Sequence, residues 1–221
     1  MNLPQLYVLG DSISLQYGPF LERFVQGYYR YDRKGGESEA FKDLDIPVGA
    51  NCGDSSRVLE IAQALLANDE FRPQVILMNA GLHDIKRDVQ SGEIQVPLEA
   101  YRANLKAAIE LCQDKGIAVV WARTTPVSDV VHNYPGVNFF RHSADLVEYN
   151  AVADEVMLEC AVPSIDLEAF TAILNEKDQA YCDHVHFIES VREKQGIFIA
   201  GYLIARLAIL ARASGDVASL I

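Results

Sequence analysis

Short apolar runs alternate along the chain with longer stretches in which apolar positions recur every three or four residues. The runs cover residues 6–9, 46–51, 75–79, 117–121 and 162–165. Their length fits strands, and the continuous ones are apolar enough to be covered on both faces. Helical spacing marks the intervals at about 13–26, 57–68, 97–115, 144–160 and 190–212, with Leu15, Phe20, Leu21, Phe24 and Val25 forming the apolar stripe of the first. Gly27 and Gly116 stand where two of these helices end. Strand and helix in repeated alternation predict an α/β fold, a parallel sheet of about five strands between two layers of helices. Residues 28–36 mix aromatics with charge and end in two glycines, which reads as an exposed loop. Residues 123–142, with the turn signal Asn133-Tyr134-Pro135-Gly136, read as a long irregular stretch of the kind that often carries function.

The same pattern shows what each strand ends on. The first runs into Gly10-Asp11-Ser12-Ile13-Ser14, the second into Cys52-Gly53-Asp54-Ser55-Ser56, and the third into Ala80-Gly81-Leu82-His83-Asp84. Open parallel sheets bind ligands outside the carboxyl ends of their strands, so these three turns are expected on one edge. Ser12 is the candidate nucleophile. A serine needs a base to attack near neutral pH, and the base needs an orienting carboxylate. Asp183-His184-Val185-His186, just before the last helix, offers both. Asp54 or Ser55 is placed to cap the helix that follows the second run. Asp11 is expected to anchor the nucleophile turn, and Asn79 to satisfy local backbone groups.

Composition narrows the classes. At 221 residues the chain supports one well-buried core, and a single domain over 1–221 is expected. Half the residues are hydrophobic and 23% are charged, which excludes a disordered chain. A formal net charge of −12 argues against nucleic acid, whose phosphates demand clustered Lys and Arg. Cys52, Cys112, Cys160 and Cys182 are dispersed without a Cys-x-x-Cys pair, and are read as buried thiols. No eighteen-residue apolar span and no secretory leader before Ser12 are present, so cytoplasmic residence is expected. No phosphate-binding glycine motif follows a strand, and no cofactor is called for. Zinc held by His83, Asp183, His184 and His186 would leave Ser12 idle and fits no compact spacing, so no metal is expected.

Gly10-Asp11-Ser12 near the start, Gly53 after the second strand, the Gly81-to-Asp84 turn and the late Asp183-x-x-His186 together resemble the GDSL, or SGNH, hydrolases. The resemblance covers nearly the whole chain. It implies a flavodoxin-like sheet in the order 2-1-3-4-5, Ser12 as nucleophile, His186 as general base and Asp183 as the carboxylate that orients it. It also implies an oxyanion hole from the backbone N–H groups of Ser12 and Gly53 and a side-chain donor on the third turn. There the family places an asparagine and this chain has His83, whose neutral imidazole can donate one hydrogen bond. A protonated His83 would repel an imidazolium at His186 and lower activity at acidic pH. His184 is expected to pack or to face the rim of the cleft.

Members of this family act on acetylated sugars, lysophospholipids, acyl thioesters and small aryl esters. The aromatic segments 28–31 and 133–140 suggest sugar-stacking rims and favour a carbohydrate O-acetylesterase acting on a small-molecule or carbohydrate ester. The alternatives are a lysophospholipase or thioesterase using the same triad, and a silent module that binds acylated sugar. The oligomeric state is left open.

Overall fold

The structure, a computed structural model, describes residues 3–213. Strands β1 (Gln5–Leu9), β2 (Arg30–Arg33), β3 (Val75–Met78), β5 (Ala118–Ala122) and β7 (Ser164–Ile165) form one parallel sheet in the order β2-β1-β3-β5-β7. Counted along the chain, this is the expected 2-1-3-4-5. A two-stranded antiparallel ribbon, β4 (Arg87–Asp88) with β6 (Phe139–Phe140), stands apart from it. The larger helices are α1 (Ser12–Val25), α3 (Ser55–Leu66), α4 (Leu98–Asp114), α6 (Ser143–Glu159), α7 (Leu167–Leu174) and α8 (Glu189–Ala213). Two single-turn helices, α2 (Glu37–Ala40) and α5 (Asp129–His132), interrupt the loops.

Helix α1 packs on α8, which also meets α7, while α3 packs on α4 and α4 on α6. The sheet therefore lies between two helical layers, an α/β/α sandwich. Its central strands are buried on both faces. Leu6, Val8, Leu9, Ile76, Leu77 and Met78 are at most 1% exposed, which explains why these segments read as unbroken apolar runs. Among the described residues no helix is long and apolar enough to cross a membrane.

The second strand corrects the sequence reading. Residues 46–51 form no strand: Pro47 has no N–H to give a ladder, and Val48 folds back to the Ile46 carbonyl. Arg30–Arg33, expected as loop, is the edge strand instead, paired with β1 from Gln5↔Arg30 to Val8↔Arg33. An edge strand with one covered face needs no apolar run. Here Tyr31 packs against the core, and the buried Arg33 guanidinium donates to the Ser14 carbonyl at 2.9 Å.

The expected sugar-stacking role of residues 28–31 also fails. In a parallel sheet Tyr28 and Tyr29 precede β2 at the amino edge, opposite the turns that follow Leu9 and Met78. Tyr29 is buried there, its hydroxyl donating to the Leu203 carbonyl at 3.2 Å. All four cysteines are unpaired. Cys52 and Cys112 are buried as expected, whereas Cys160 is half-buried and Cys182 exposed.

Candidate active site

Three turns and one loop meet at the carboxyl edge of the sheet. Asp11 makes the first: its carboxylate accepts the Ile13 N–H at 2.9 Å and caps α1, so that Ser12 is the first helical residue. The N–H of Ser12 then belongs to the first turn, where helix donors have no intrahelical partner. Asp11 is structural, as expected.

The loop between Tyr181 and Phe187 brings Asp183 and His186 to this edge. Asp183 Oδ1 accepts the N–H groups of Val185 at 2.8 Å and His186 at 2.7 Å, a tight local turn that orients the ring of His186. His186 Nδ1 lies 2.8 Å from Asp183 Oδ2, and Nε2 lies 2.8 Å from Ser12 Oγ. With a carboxylate at Nδ1 the proton resides on that nitrogen, which leaves Nε2 as the acceptor for the serine hydroxyl. Burial raises the Asp183 carboxyl, but the hydrogen bond from His186, its charge and the two backbone N–H groups outweigh that and hold it well below the usual carboxylate range. Ser12 and His186 are 3% and 2% exposed, so little water competes for this contact.

The second and third turns behave differently from expectation. Gly53 has φ +74°, and a Cβ there would meet Pro47 Cβ at 2.7 Å, so the turn itself demands glycine. Its N–H is already donated to Asn51 Oδ1 at 3.0 Å. Gly81, at φ +150°, lies so close to Thr124 that a Cβ would sit 2.3 Å from Oγ1. His83 follows, 1% exposed, with Nδ1 buried and without a hydrogen-bond partner. Burial, and then the positive charges of Lys86, Arg141, His186 and Arg57, hold its pKa well below 6.5. His83 is therefore neutral, and the expected loss of activity through its protonation at mildly acidic pH does not follow. Asn79 donates to the Ala122 carbonyl at 2.9 Å and is structural. Asp54 caps α3 by accepting the Arg57 N–H at 3.1 Å, and Asp84 adds a second cap by accepting the Ser55 N–H at 2.9 Å.

A sequence model of the GDSL-like lipase/acylhydrolase family matches residues 8–190. The chain belongs to this family. It is accordingly a carboxylic ester hydrolase of the GDSL type. No curated protein matches it in sequence. Among solved structures it is similar to the acetyl xylan esterase AlAXEase (13% identity, TM-score 0.66, 90% of this chain and 99% of that one). A lipase/acylhydrolase from Enterococcus faecalis (16%, 0.59, 92% and 97%) and the psychrotrophic esterase EstA from Pseudoalteromonas sp. (13%, 0.62, 92% and 98%) share the same fold.

Two features of this GDSL hydrolase were not read from its sequence. Arg141, 1% exposed, donates from Nε to the Leu82 carbonyl at 2.7 Å, bracing the turn that carries His83. Its own backbone is held by Asn133, which donates to the Arg141 carbonyl at 2.8 Å and accepts its N–H at 3.1 Å. Beside the row Asp183, His186 and Ser12 runs a second: Asp45 Oδ2 lies 2.9 Å from His184 Nε2, and His184 Nδ1 lies 2.8 Å from His132 Nδ1. His184 thus packs inside a network rather than at an open rim. The signals were dispersed, since Asp45, His132 and Arg141 belong to segments with neither periodicity nor motif.

Proposed function

We propose that the chain, acting as one domain, is a serine esterase that removes short O-acyl groups, foremost acetyl, from a carbohydrate. The observation that carries the reading is the row Ser12 Oγ, His186 and Asp183, with both ring contacts at 2.8 Å. In this reading Ser12 attacks the ester carbonyl while His186 Nε2 takes its proton, and Asp183 steadies the imidazolium that forms. The Ser12 N–H and the neutral imidazole of His83 donate to the developing oxyanion. Gly53 joins them as a third donor when its N–H leaves Asn51. His186 returns the proton to the departing alcohol, and water, activated by the same imidazole, then releases the acid from the acyl-enzyme.

The test is hydrolysis of p-nitrophenyl acetate and p-nitrophenyl octanoate, with fluorophosphonate labelling, by the native chain and by Ser12→Ala. Turnover and label are expected in the native chain, with acetate preferred, and removal of Ser12 is expected to cost roughly 10⁴- to 10⁶-fold in kcat. Preference for octanoate would replace the acetylesterase by a long-chain acylhydrolase. Absence of both turnover and label would sink the serine mechanism.

A further inference from the structure

The carboxamide of Asn51 is fully buried and is used at both ends. Its Oδ1 accepts the Gly53 N–H at 3.0 Å, a local turn bond of the kind asparagine commonly makes. Its Nδ2 donates to the Leu44 carbonyl at 2.9 Å, with the Ile46 carbonyl at 3.5 Å. One side chain thus joins an expected oxyanion donor to residues 44–46.

Those residues belong to a loop, 37–48, whose two ends meet. Gly36 and Gly49 flank it in the left-handed region, at φ +91° and +53°, and a Cβ on Gly36 would sit 2.7 Å from Gly49 Cα. Loops closed in this way pack on their own side chains. Here Leu44 rests on a small cluster of Leu15, Ala40 and Ala50, apart from the main core. Residues 41–49 are all half-buried or exposed, which puts the segment among the least stable parts of a fold. Its tip is held by polar bonds, from Asp45 Oδ2 to His184 Nε2 at 2.9 Å and from Lys86 Nζ to the Asp45 carbonyl at 2.8 Å. Pro47, on the same loop, lies against Gly53, where an added Cβ would meet Pro47 Cβ at 2.7 Å. The loop therefore reaches Gly53 twice, directly through Pro47 and through Asn51.

The turn that carries Gly53 has separate anchors. The Cys52 N–H donates to the Gly10 carbonyl at 3.1 Å, and the Ser55 N–H to Asp84 Oδ1 at 2.9 Å. These bonds hold the second turn to the first and third whether or not the loop is docked. An N–H given to Asn51 is not available to an oxyanion, so the donor is spent until the carboxamide lets go. We propose that Asn51 is a positioning residue that couples the 37–48 loop to the Gly53 N–H, occupying this donor while the loop is docked and releasing it when the loop lifts. The assignment rests on the esterase reading for the use of Gly53, but not for the coupling itself. Asn51 touches no reacting atom and sets how many donors meet the oxyanion.

Two substitutions at Asn51 are expected to act in opposite directions. Asn51→Leu removes the acceptor, and kcat on p-nitrophenyl acetate, counted per serine titrated with fluorophosphonate, is expected to rise about two- to tenfold with KM little changed. Asn51→Asp keeps an acceptor and charges it, which holds the N–H harder and repels an oxyanion, so kcat is expected to fall roughly tenfold or more. Both variants lose the bond to Leu44, so a merely structural Asn51 lowers kcat in both, and that result would overturn the coupling. Amide exchange followed by NMR tests it without substituting Asn51 and without turnover. Asp45→Ala, which frees the tip from His184, is expected to speed exchange of the Asn51 carboxamide and the Gly53 N–H together by at least about tenfold, while the Cys52 N–H stays as in the native chain. An unmoved Gly53 N–H, or one that moves only with Cys52, would equally overturn it. If the native chain neither turns over aryl acetate nor takes the label, the esterase reading falls, and the exchange result still decides the coupling.

Discussion

Two rows of carboxylate and imidazole run side by side in this protein, and they end differently. Asp183–His186 ends on a serine hydroxyl, 2.8 Å from Nε2. Asp45–His184 ends on another imidazole, His132, whose Nε2 is buried with no hydrogen-bond partner. Both rows satisfy the distance criteria for a proton relay. Only the first ends on a hydroxyl, the group that the proposed mechanism needs beside a base. The second row ties residues 43–46 to α5 and to the loop that carries His186, so its contribution is architectural.

The most direct way to break this comparison is to remove the middle member of each row. His186→Ala is expected to lower kcat on p-nitrophenyl acetate by roughly 10⁴-fold or more, because the nucleophile loses its base. His184→Ala touches no reacting atom and is expected to stay within about tenfold. Equal losses in steady-state assays of the two purified variants would show that the rows act as one unit.

A smaller effect sharpens the first row alone. His83→Ala removes a donor from the proposed oxyanion hole, at an expected cost of roughly 10²- to 10³-fold in kcat with KM little changed. His83→Asn restores an N–H donor and is expected to recover much of that loss. Recovery with Ala as complete as with Asn would make His83 a packing residue.

Arg141 stands between the two rows, bound to the Leu82 carbonyl and 4.0 Å from Asp45. Arg141→Met leaves that carbonyl without its donor, for which a loss of about 1–3 kcal/mol in stability is expected. Because the same bond braces the His83 turn, kcat is also expected to fall roughly ten- to hundredfold. Denaturant melts and kinetics on the same preparation check both, and loss of stability with kcat intact would separate the brace from the chemistry.

The first row was legible in the sequence and the second was not, for a physical reason. Ser12, Asp183 and His186 sit next to strong local signals: an apolar run that stops at Gly10, and a four-residue turn just before a long helix. The parallel sheet followed from the same apolar runs wherever a strand is covered on both faces, whereas its order came only with the family resemblance. The edge strand Arg30–Arg33 was missed because half of it faces solvent, and residues 46–51 were mistaken for it because Ile46 and Val48 mimic a strand around a proline. The Gly53 turn was recognisable, but not the bond that occupies its N–H, since an asparagine two residues upstream says nothing about where its side chain turns. The Asp45–His184–His132 row joins residues from three separate segments, two of them loops, and Arg141 is a buried charge among irregular residues. Only the fold brings such partners together.

The second row makes its own prediction, in stability rather than rate. Burial first, and then the charges of Arg141 and His184, lower the pKa of His132 to about 4. The unfolded chain protonates a histidine near 6.5, so as pH falls from about 6.5 to 4 the unfolded state binds a proton that the folded state refuses. Stability is thus fully present above pH 6.5 and is lost on acidification, by up to about 1.4 kcal/mol per pH unit from this group. Asp45 and Asp183 face the same network with lowered pKa values, and their contributions, present above the unfolded carboxylate pKa, fade only below about pH 4. The two windows are therefore separable. In urea melts at pH 7, 6, 5 and 4.5, His132→Gln is expected to show a shallower decline than the native chain, with the difference confined to pH below 6.5. Parallel declines would mean that His132 takes up its proton in the folded state as readily as in the unfolded one, and that its burial does not hold it neutral.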